Sequence, residues 1–348
     1  HPGVAPGLAE RVHRSLSQPA SDRHGRRAAL RELSRLVLEP ALALVSPDAE
    51  VKRWLVVPDG ALHYVPFAAL PVSAAGEGAA EPLLVRTEVV HLPSLTARLR
   101  LRAAARGVHD GPALAVVADP VYQESDPRFQ ALLADSGDLA AAPAAAPVRR
   151  PFARERLTWS GEEARAIVDA AGGSRDVHLA LGFDAALDLV GSQELGQHRI
   201  VHLAAHGVLD GRHPELSGLM FSRWRADRRP RESFLRLHDI YALRWRAELV
   251  VLSGCATAAG VESRSEGVTG LAQGFLEAGA GDVVASLWPV RDRATAELMA
   301  RFYKALLGDG LTPSAALRRA QLSMRGERRF GDAYFWAPFL VIGDGAAP

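Results

Sequence analysis

Two short apolar runs of the sequence end on side chains that can do nucleophilic chemistry. The run Val201–Gly207, VHLAAHG, places His206 directly after its apolar residues. The run Leu249–Thr257, LVVLSGCAT, places Cys255, the single cysteine of the 348-residue chain, in the equivalent position. A neighbouring imidazole can take the proton of a thiol, and the resulting thiolate is a strong nucleophile. The pattern therefore predicts a cysteine–histidine dyad if the two runs lie side by side.

Each of these residues also has a structural interpretation. A cysteine at the end of a buried strand commonly fills the core, and a histidine in AAHG can be a hydrogen-bonded core residue. We expect His202, inside the first run, and His63 to be structural. Two reactive residues at matching strand ends favour the dyad, although spacing alone does not decide between the two interpretations.

The elements that must position the two residues form a regular alternation of strands and helices. Apolar strands are predicted at Asp176–Gly182, before His206, before Cys255, at Asp282–Val290 and at Phe339–Gly343, with amphipathic helices between them. This alternation predicts an α/β fold with a mainly parallel sheet covered on both faces. Ligands of such sheets bind outside the carboxyl ends of the strands, and adjacent strands lie ~4.8 Å apart. His206 and Cys255 are therefore expected to meet at that edge.

Glycines flank both candidates. Gly207 follows the histidine and Gly254 precedes the cysteine, so a substrate backbone has room to approach. The backbone amides of Gly207 and Cys255 are the expected donors to a developing oxyanion. The sequence contains neither a Rossmann glycine fingerprint nor a Walker motif, so nucleotide binding gains no support.

The composition narrows the classes of protein. Lys plus Arg total 41 and Asp plus Glu total 40, so no overall basic charge points to a nucleic acid. One cysteine cannot form an internal disulfide or a cysteine-rich metal site, which favours a reducing, cytoplasmic setting. No apolar run reaches the ~18–20 residues of a membrane span. The basic run Ser222–Ser233 is expected to be a solvated, mobile loop, with a processing site or a partner contact as alternatives.

Three parts are expected along the chain. They are an N-terminal half at residues 1–135, an Ala/Pro-rich linker or loop at 136–151 and a catalytic half at 152–348. In the N-terminal half, Arg26–Val45 has helical apolar spacing, and Pro40 should bend or end that helix. The chain starts without Met or a signal-like apolar segment, which favours a piece of a longer protein whose upstream modules are absent.

Several longer blocks resemble one known family. They read RIVHLAAHG, ELVVLSGCATAAG, EGVTGLAQGFLEAGAGDVVASLWPVRDRATAELMARFYKALL and YFWAPFLVIGD, together with WLVVPDGALHYVPFAAL and SAALRRAQLSM. Together these blocks are similar to the CHAT domain, a caspase-like peptidase module often found behind tetratricopeptide repeats in bacteria. The resemblance extends from about Ala29 to Asp344.

The resemblance implies a caspase–separase type α/β/α sandwich, with a related, non-catalytic N-terminal half. His206 matches the histidine of the family pattern H-x-A-x-H-G. Cys255 matches the cysteine of the pattern S-A-C, which reads Ser-Gly-Cys here because Gly254 replaces the usual alanine. Ala256 stands where an acidic residue often follows the cysteine. By analogy with caspases, Gly207 would supply the oxyanion amide.

The resemblance also offers candidates for substrate specificity. The segment SLWPVRDRAT is similar to a separase segment in which an aspartate contacts a basic residue just before the cut bond, and that aspartate corresponds to Asp292. The alternative is that Asp292 caps a helix starting near Ala294. Glu262 and Glu266, after the cysteine, are weaker candidates.

The function expected from these arguments is that of a cysteine endopeptidase cleaving a protein or peptide substrate without a metal or other cofactor. A peptidase that is always active would be harmful, so regulation by an upstream repeat domain or regulatory protein is expected. The resemblance also implies a place in a bacterial defence or death pathway. Self-cleavage would fall at Arg149 and Arg150 or in the basic run Ser222–Ser233. The alternatives are a catalytically silent interaction scaffold and a hydrolase of small amides or esters.

Overall fold

The computed structural model of the protein describes residues 6–18, 22–46, 49–72, 80–104, 111–135, 155–173, 176–209, 213–254, 256–258 and 266–345. The strands are β1 Arg53–Val56, β2 Pro71–Val72, β3 Glu81–Pro82, β4 Glu88–His91, β5 Leu114–Ala118, β6 Val177–Leu181, β7 Ile200–Ala204, β8 His206–Leu209, β9 Gly218–Met220, β10 Phe234–Arg236, β11 Leu249–Leu252, β12 Ala256–Ala258, β13 Asp282–Ser286 and β14 Phe339–Gly343. The helices are α1 Pro6–Leu16, α2 Arg23–Val37, α3 Glu39–Leu42, α4 Leu95–Ala104, α5 Pro127–Asp135, α6 Ser160–Ala170, α7 Leu187–Val190, α8 Leu237–Ala242, α9 Glu266–Ala278, α10 Asp292–Tyr303, α11 Pro313–Arg325 and α12 Ala333–Trp336.

In the described part of the chain, eight strands form the central sheet. Their order is β1-β4-β14-β13-β11-β7-β5-β6. Every adjacent pair is parallel except β13 and β14, which are antiparallel. The predicted α/β fold with a mainly parallel sheet is confirmed.

The inner strands explain why the sequence pattern was apolar without alternation. All residues of β5, β11, β13 and β14 are buried, as expected when both faces of a sheet are covered. Helices α6, α10 and α11 pack side by side and contact β4, β5, β6 and β14. Helices α8 and α9 contact each other, and α9 also contacts β13.

The central sheet runs through both expected halves of the chain. Strand β5, from the expected N-terminal half, lies between β7 and β6 of the expected catalytic half. Strands β1 and β4 continue the same sheet beyond β14. The division at residues 136–151 is not a break in this sheet, and it stays a prediction about the units of the chain. The linker residues themselves lie outside the described residues.

A second sheet adjoins the carboxyl ends of the central strands. Its strand order is β10-β9-β8-β12. Only Ala205 separates the end of β7 from the start of β8 at His206. The chain therefore passes at His206 from the central sheet into this smaller sheet.

Two local predictions have clear outcomes. The predicted break at Pro40 is observed, since α2 ends at Val37 and α3 carries Pro40 in its first turn. The basic run forms a hydrogen-bonded turn instead of an open loop: the Arg225 amide donates to the Arg229 carbonyl at 3.0 Å, and Trp224 pairs with Pro230. No helix within the described ranges has the length and apolar character needed to cross a bilayer.

Candidate active site

His206 is the first residue of β8, and its ring has a defined hydrogen bond. Nε2 lies 2.7 Å from the carbonyl oxygen of Glu155. Because a carbonyl oxygen only accepts, Nε2 must carry the hydrogen. In the neutral ring, Nδ1 is therefore the nitrogen that can accept a proton. The Glu155 carbonyl thus selects the neutral tautomer that carries its hydrogen on Nε2.

Tyr122, in the segment that follows strand β5, supports the same histidine. Its hydroxyl accepts a hydrogen bond from the His206 amide at 3.1 Å, and the two ring centroids are 4.9 Å apart. Burial raises the pKa of Tyr122 above its ordinary value, so the phenol stays neutral near pH 7. Tyr122 therefore positions the histidine without adding charge to the site.

Cys255 lies outside the described residues, whereas Gly254 and Ala256 on either side of it are described. Gly254 lies so close to Ala205 that a β-carbon at position 254 would overlap the Ala205 carbonyl. On the other side, Ala256 pairs with Gly207 in the β8–β12 ladder. Ala205 and Gly207 are the neighbours of His206, so the chain on both sides of Cys255 contacts the chain on both sides of His206.

The same contact explains the departure from the family pattern at position 254. Only glycine fits against the Ala205 carbonyl, so the alanine that is usual in S-A-C cannot be accommodated in this backbone arrangement. Gly207 lies in the middle of the smaller sheet, paired with Leu219 on β9 and with Ala256 on β12.

A buried polar cluster lies behind the two strand ends. His202 on β7 is fully buried, and its Nε2 lies 3.2 Å from Oγ of Ser253, two residues before the cysteine. Its Nδ1 lies 3.1 Å from the hydroxyl of Tyr303 on α10. Oε1 of Glu163, on α6, is 2.9 Å from the same Nε2 but makes no well-aligned hydrogen bond. The cluster ties α6 and α10 to the segment that leads into Cys255, and it gives His202 a structural role.

Asp292 is the first residue of α10, and its carboxylate contacts another segment of the chain. Oδ2 accepts a hydrogen bond from the Trp159 amide at 2.7 Å. The alternative that it caps a helix starting near Ala294 is wrong, because the helix already begins at Asp292. Burial raises the pKa of Asp292 to about 6, and the nearby carboxylates of Glu163 and Asp119 add to this effect. Within the described residues, Asp292 forms no ion pair.

The remaining candidates contribute less to the described site. Glu262 lies outside the described residues. Glu266 starts α9, but only its backbone is described. His63 lies in a short 3₁₀ helix, Gly60–Tyr64, between β1 and β2. Among the described residues, no group of three or more His, Cys, Asp or Glu side chains could hold a metal ion.

Comparisons with known proteins identify a family that spans most of the chain. Residues 27–344 match the CHAT domain. A stretch of 113 residues is 37% identical to tetratricopeptide repeat protein 28 of Mus musculus, and a stretch of 112 residues is 37% identical to its Homo sapiens counterpart. Each alignment covers 32% of this chain but 4% of the relative's length.

Among solved structures, the crystal structure of the Arg-specific cysteine proteinase gingipain R is similar, with a TM-score of 0.50 and 8% identity over 98% of this chain and 74% of that chain. Separase from the Saccharomyces cerevisiae separase–securin complex has a TM-score of 0.46 and 14% identity, over 81% of this chain and 14% of that chain. The likeness to gingipain R shows a shared caspase-like fold. Since the CHAT match spans nearly the whole sequence, the chain belongs to the CHAT domain family.

Proposed function

We propose that the protein is a cysteine endopeptidase in which Cys255 is the nucleophile and His206 is the general base and acid. The observation that carries the proposal is the hydrogen bond from His206 Nε2 to the Glu155 carbonyl. This bond leaves Nδ1 as the basic nitrogen of the neutral ring, and the residues that flank the cysteine contact the residues that flank the histidine. Membership of the CHAT domain family and the caspase-like fold support the same assignment.

The reaction follows from these two groups. Nδ1 of His206 takes the proton of the Cys255 thiol, and the thiolate attacks the scissile carbonyl carbon. The amides of Gly207 and Cys255 hold the negative oxygen of the tetrahedral intermediate. The imidazolium then gives its proton to the leaving amine as the C–N bond breaks, which leaves a thioester. Water, deprotonated by His206, hydrolyses the thioester and restores the thiol.

The Glu155 carbonyl has a second use in this reaction. When His206 becomes positively charged, its bond from Nε2 to Glu155 becomes a charge-assisted hydrogen bond, which is roughly twice as strong as a neutral one. The contact therefore stabilises the imidazolium that forms when the cysteine ionises. At Nε2 this stabilisation comes from a backbone carbonyl and not from an acidic side chain.

The preferred residue before the cut bond is proposed to be basic. The Asp292 carboxylate lies beside Trp159, four residues from the Glu155 carbonyl that binds His206, and no hydrogen bond within the described residues occupies its Oδ1. A carboxylate in a partly buried place pairs well with arginine or lysine. Glu262 and Glu266 remain further candidates for contacts with the substrate.

Regulation is proposed to come from modules joined to this domain. The mouse and human relatives are named for tetratricopeptide repeats, which supports an adjoining repeat domain or a regulatory partner. A bacterial source and a defence role remain predictions from the resemblance, and a cytoplasmic location remains a prediction from the cysteine content. Self-cleavage in the basic run Ser222–Ser233 is disfavoured by the hydrogen-bonded turn found there, because a peptidase binds extended backbone.

Hydrolysis of a fluorogenic peptide library by the wild-type protein and by the Cys255→Ala variant tests the proposal. The expected result is cleavage by the wild-type protein that is lost in the variant, with peptides hydrolysed in preference to simple esters. Hydrolysis of simple esters by the wild-type protein, without cleavage of any peptide, would favour the alternative of a hydrolase of small amides or esters. If Cys255→Ala were as active as the wild type, the cysteine would not be the nucleophile. If neither protein cleaved any peptide or ester, even when joined to its repeat domain, the chain would be a scaffold.

A further inference from the structure

The segment Glu155–Trp159, which we call the strap, leads into α6 and crosses the carboxyl end of β5. Its first residue accepts the hydrogen bond of His206 through a backbone carbonyl. Its last residue donates its amide to Asp292. Between them, Leu157 packs against an apolar cluster that includes Tyr122. The strap therefore touches both the candidate general base and the residue that supports that base.

The strap is held by a two-point ion pair at Arg156. Nε of Arg156 donates to Oδ1 of Asp119 at 2.9 Å, and one Nη donates to Oδ2 at 2.7 Å. Asp119 is almost completely buried, and the hydrogen bonds to it raise the pKa of Arg156. Two parallel charge-assisted bonds fix the plane of a guanidinium as well as its position. The backbone of Arg156, and with it the peptide bond to Glu155, is thereby oriented.

The other end of this ion pair is itself fixed. Asp119 follows β5 directly and has a φ of 51°, a left-handed conformation that aspartate and asparagine tolerate better than most residues. Its amide donates to Oγ of Ser160 at 3.1 Å, and Arg128 donates to its carbonyl at 2.9 Å. Oγ of Ser160 in turn donates to the Leu157 carbonyl at 2.7 Å. The central sheet thus supplies a rigid base for the strap.

We propose that Arg156 and Asp119 are positioning residues for His206: through the strap they hold the Glu155 carbonyl at Nε2 and so fix the ring and its tautomer. Neither side chain touches the reacting atoms. The inference about the ring stands on the geometry, whereas its effect on turnover rests on the proposed function. Loss of the ion pair removes the contact that orients the Glu155–Arg156 peptide bond, while Leu157 and Trp159 keep their own contacts. The Glu155 carbonyl then turns away from Nε2, Nε2 bonds to water instead, and the neutral ring populates both tautomers. Misplacement of a catalytic group by about 1 Å can cost on the order of 100-fold in rate.

The chain contains a matched control for this test. Arg199, just before β7, binds both carboxylate oxygens of Glu248 at 3.0 Å from its Nε. This pair has the same chemistry as Arg156 with Asp119, but it lies at the amino end of the strands, opposite the candidate site. The test variants are Arg156→Gln and Asp119→Asn, and the control is Arg199→Gln. Asp119→Asn keeps the left-handed backbone conformation, so it guards against a failure caused by unfolding of Arg156→Gln.

The readout is the ¹⁵N NMR signal of the His206 ring in histidine-labelled protein that also carries Cys255→Ala, at a pH where the ring is neutral, assigned with His206→Gln. Without the thiol, the ring cannot be held as the imidazolium of an ion pair. In this background we expect the otherwise wild-type protein and Arg199→Gln to show the single Nε2–H tautomer. Arg156→Gln and Asp119→Asn should show averaged ring-nitrogen shifts, and the double variant should be no worse than either single variant. If both variants keep the wild-type tautomer, the proposal is wrong.

Peptide hydrolysis by the same variants with Cys255 in place separates this proposal from the peptidase assignment. The expected result is a kcat about 10- to 100-fold lower in both strap variants with little change in KM, as for a displaced catalytic group. A changed tautomer in proteins that cleave nothing even as wild type would support the positioning role and contradict the peptidase function. An unchanged tautomer alongside wild-type hydrolysis would overturn the positioning role alone.

Discussion

Asp292 makes the proposed preference for a basic residue dependent on pH. Burial raises its pKa to about 6, so the carboxylate is charged above pH 6 and mostly neutral below it. A charged hydrogen bond from a substrate arginine is worth about 1.5–3 kcal/mol. That energy corresponds to a preference of roughly 10- to 150-fold for arginine over an uncharged isostere, because each 1.36 kcal/mol is a factor of ten. The preference should be present at pH 8 and should fall as the pH drops through 6.

The assay compares two peptides that differ only in arginine or citrulline before the cut bond. The ratio of their kcat/KM values cancels the titration of the dyad, which both peptides share, and kcat/KM reports the free enzyme. Wild-type protein should lose most of the ratio between pH 8 and pH 5. Asp292→Asn should show a low ratio at every pH, since its side chain does not titrate. A ratio independent of pH in the wild type, or unchanged in Asp292→Asn, would refute the pocket role.

Two further substitutions test other parts of the structure. Gly254→Ala introduces a methyl group against the Ala205 carbonyl, so it should destabilise the protein by about 1–3 kcal/mol in urea unfolding; wild-type stability would mean that the two segments do not touch. Burial raises the pKa of Asp282 to about 7 in the folded protein, whereas the pKa of an aspartate in the unfolded chain is about 3.9. Between pH 4 and pH 7 the folded state therefore keeps a proton that the unfolded state loses. The free energy of unfolding falls as the pH rises through this range. Asp282→Asn keeps an acceptor for the Gly345 amide. Its free energy of unfolding should equal that of the wild type near pH 4 and exceed it by up to about 4 kcal/mol at pH 8. Equal free energies of unfolding at pH 8 would contradict this expectation.

The sequence was informative where one short stretch determines the structure. An apolar run that stops at a reactive side chain indicates a buried strand and its end, and both His206 and the flanks of Cys255 follow such strands. The helix break at Pro40 depends on a single residue, and it was predicted for the same reason. The parallel order of the sheet followed from alternation of strands and helices, but the antiparallel pairing of β14 with β13 did not.

The contacts that define the candidate site join distant parts of the chain, which a single sequence does not reveal. Tyr122 is 84 residues from His206, and the Glu155 carbonyl is 51 residues away. A backbone carbonyl has no side-chain signature, so no motif could have found it. Arg156 and Asp119 were missed because isolated charged residues are most often exposed. The replacement at Gly254 was visible in the sequence, but its cause needed the position of Ala205.

The most direct test of the Cys255–His206 dyad is the rate at which iodoacetamide alkylates the protein as a function of pH. Because Cys255 is the single cysteine, the rate reports that thiol alone. A dyad predicts a thiolate with an apparent pKa well below the ordinary value of about 8.5, and a shift towards that value in His206→Gln. An ordinary thiol pKa that is the same in both proteins would contradict the assignment of Cys255 and His206 as a catalytic pair.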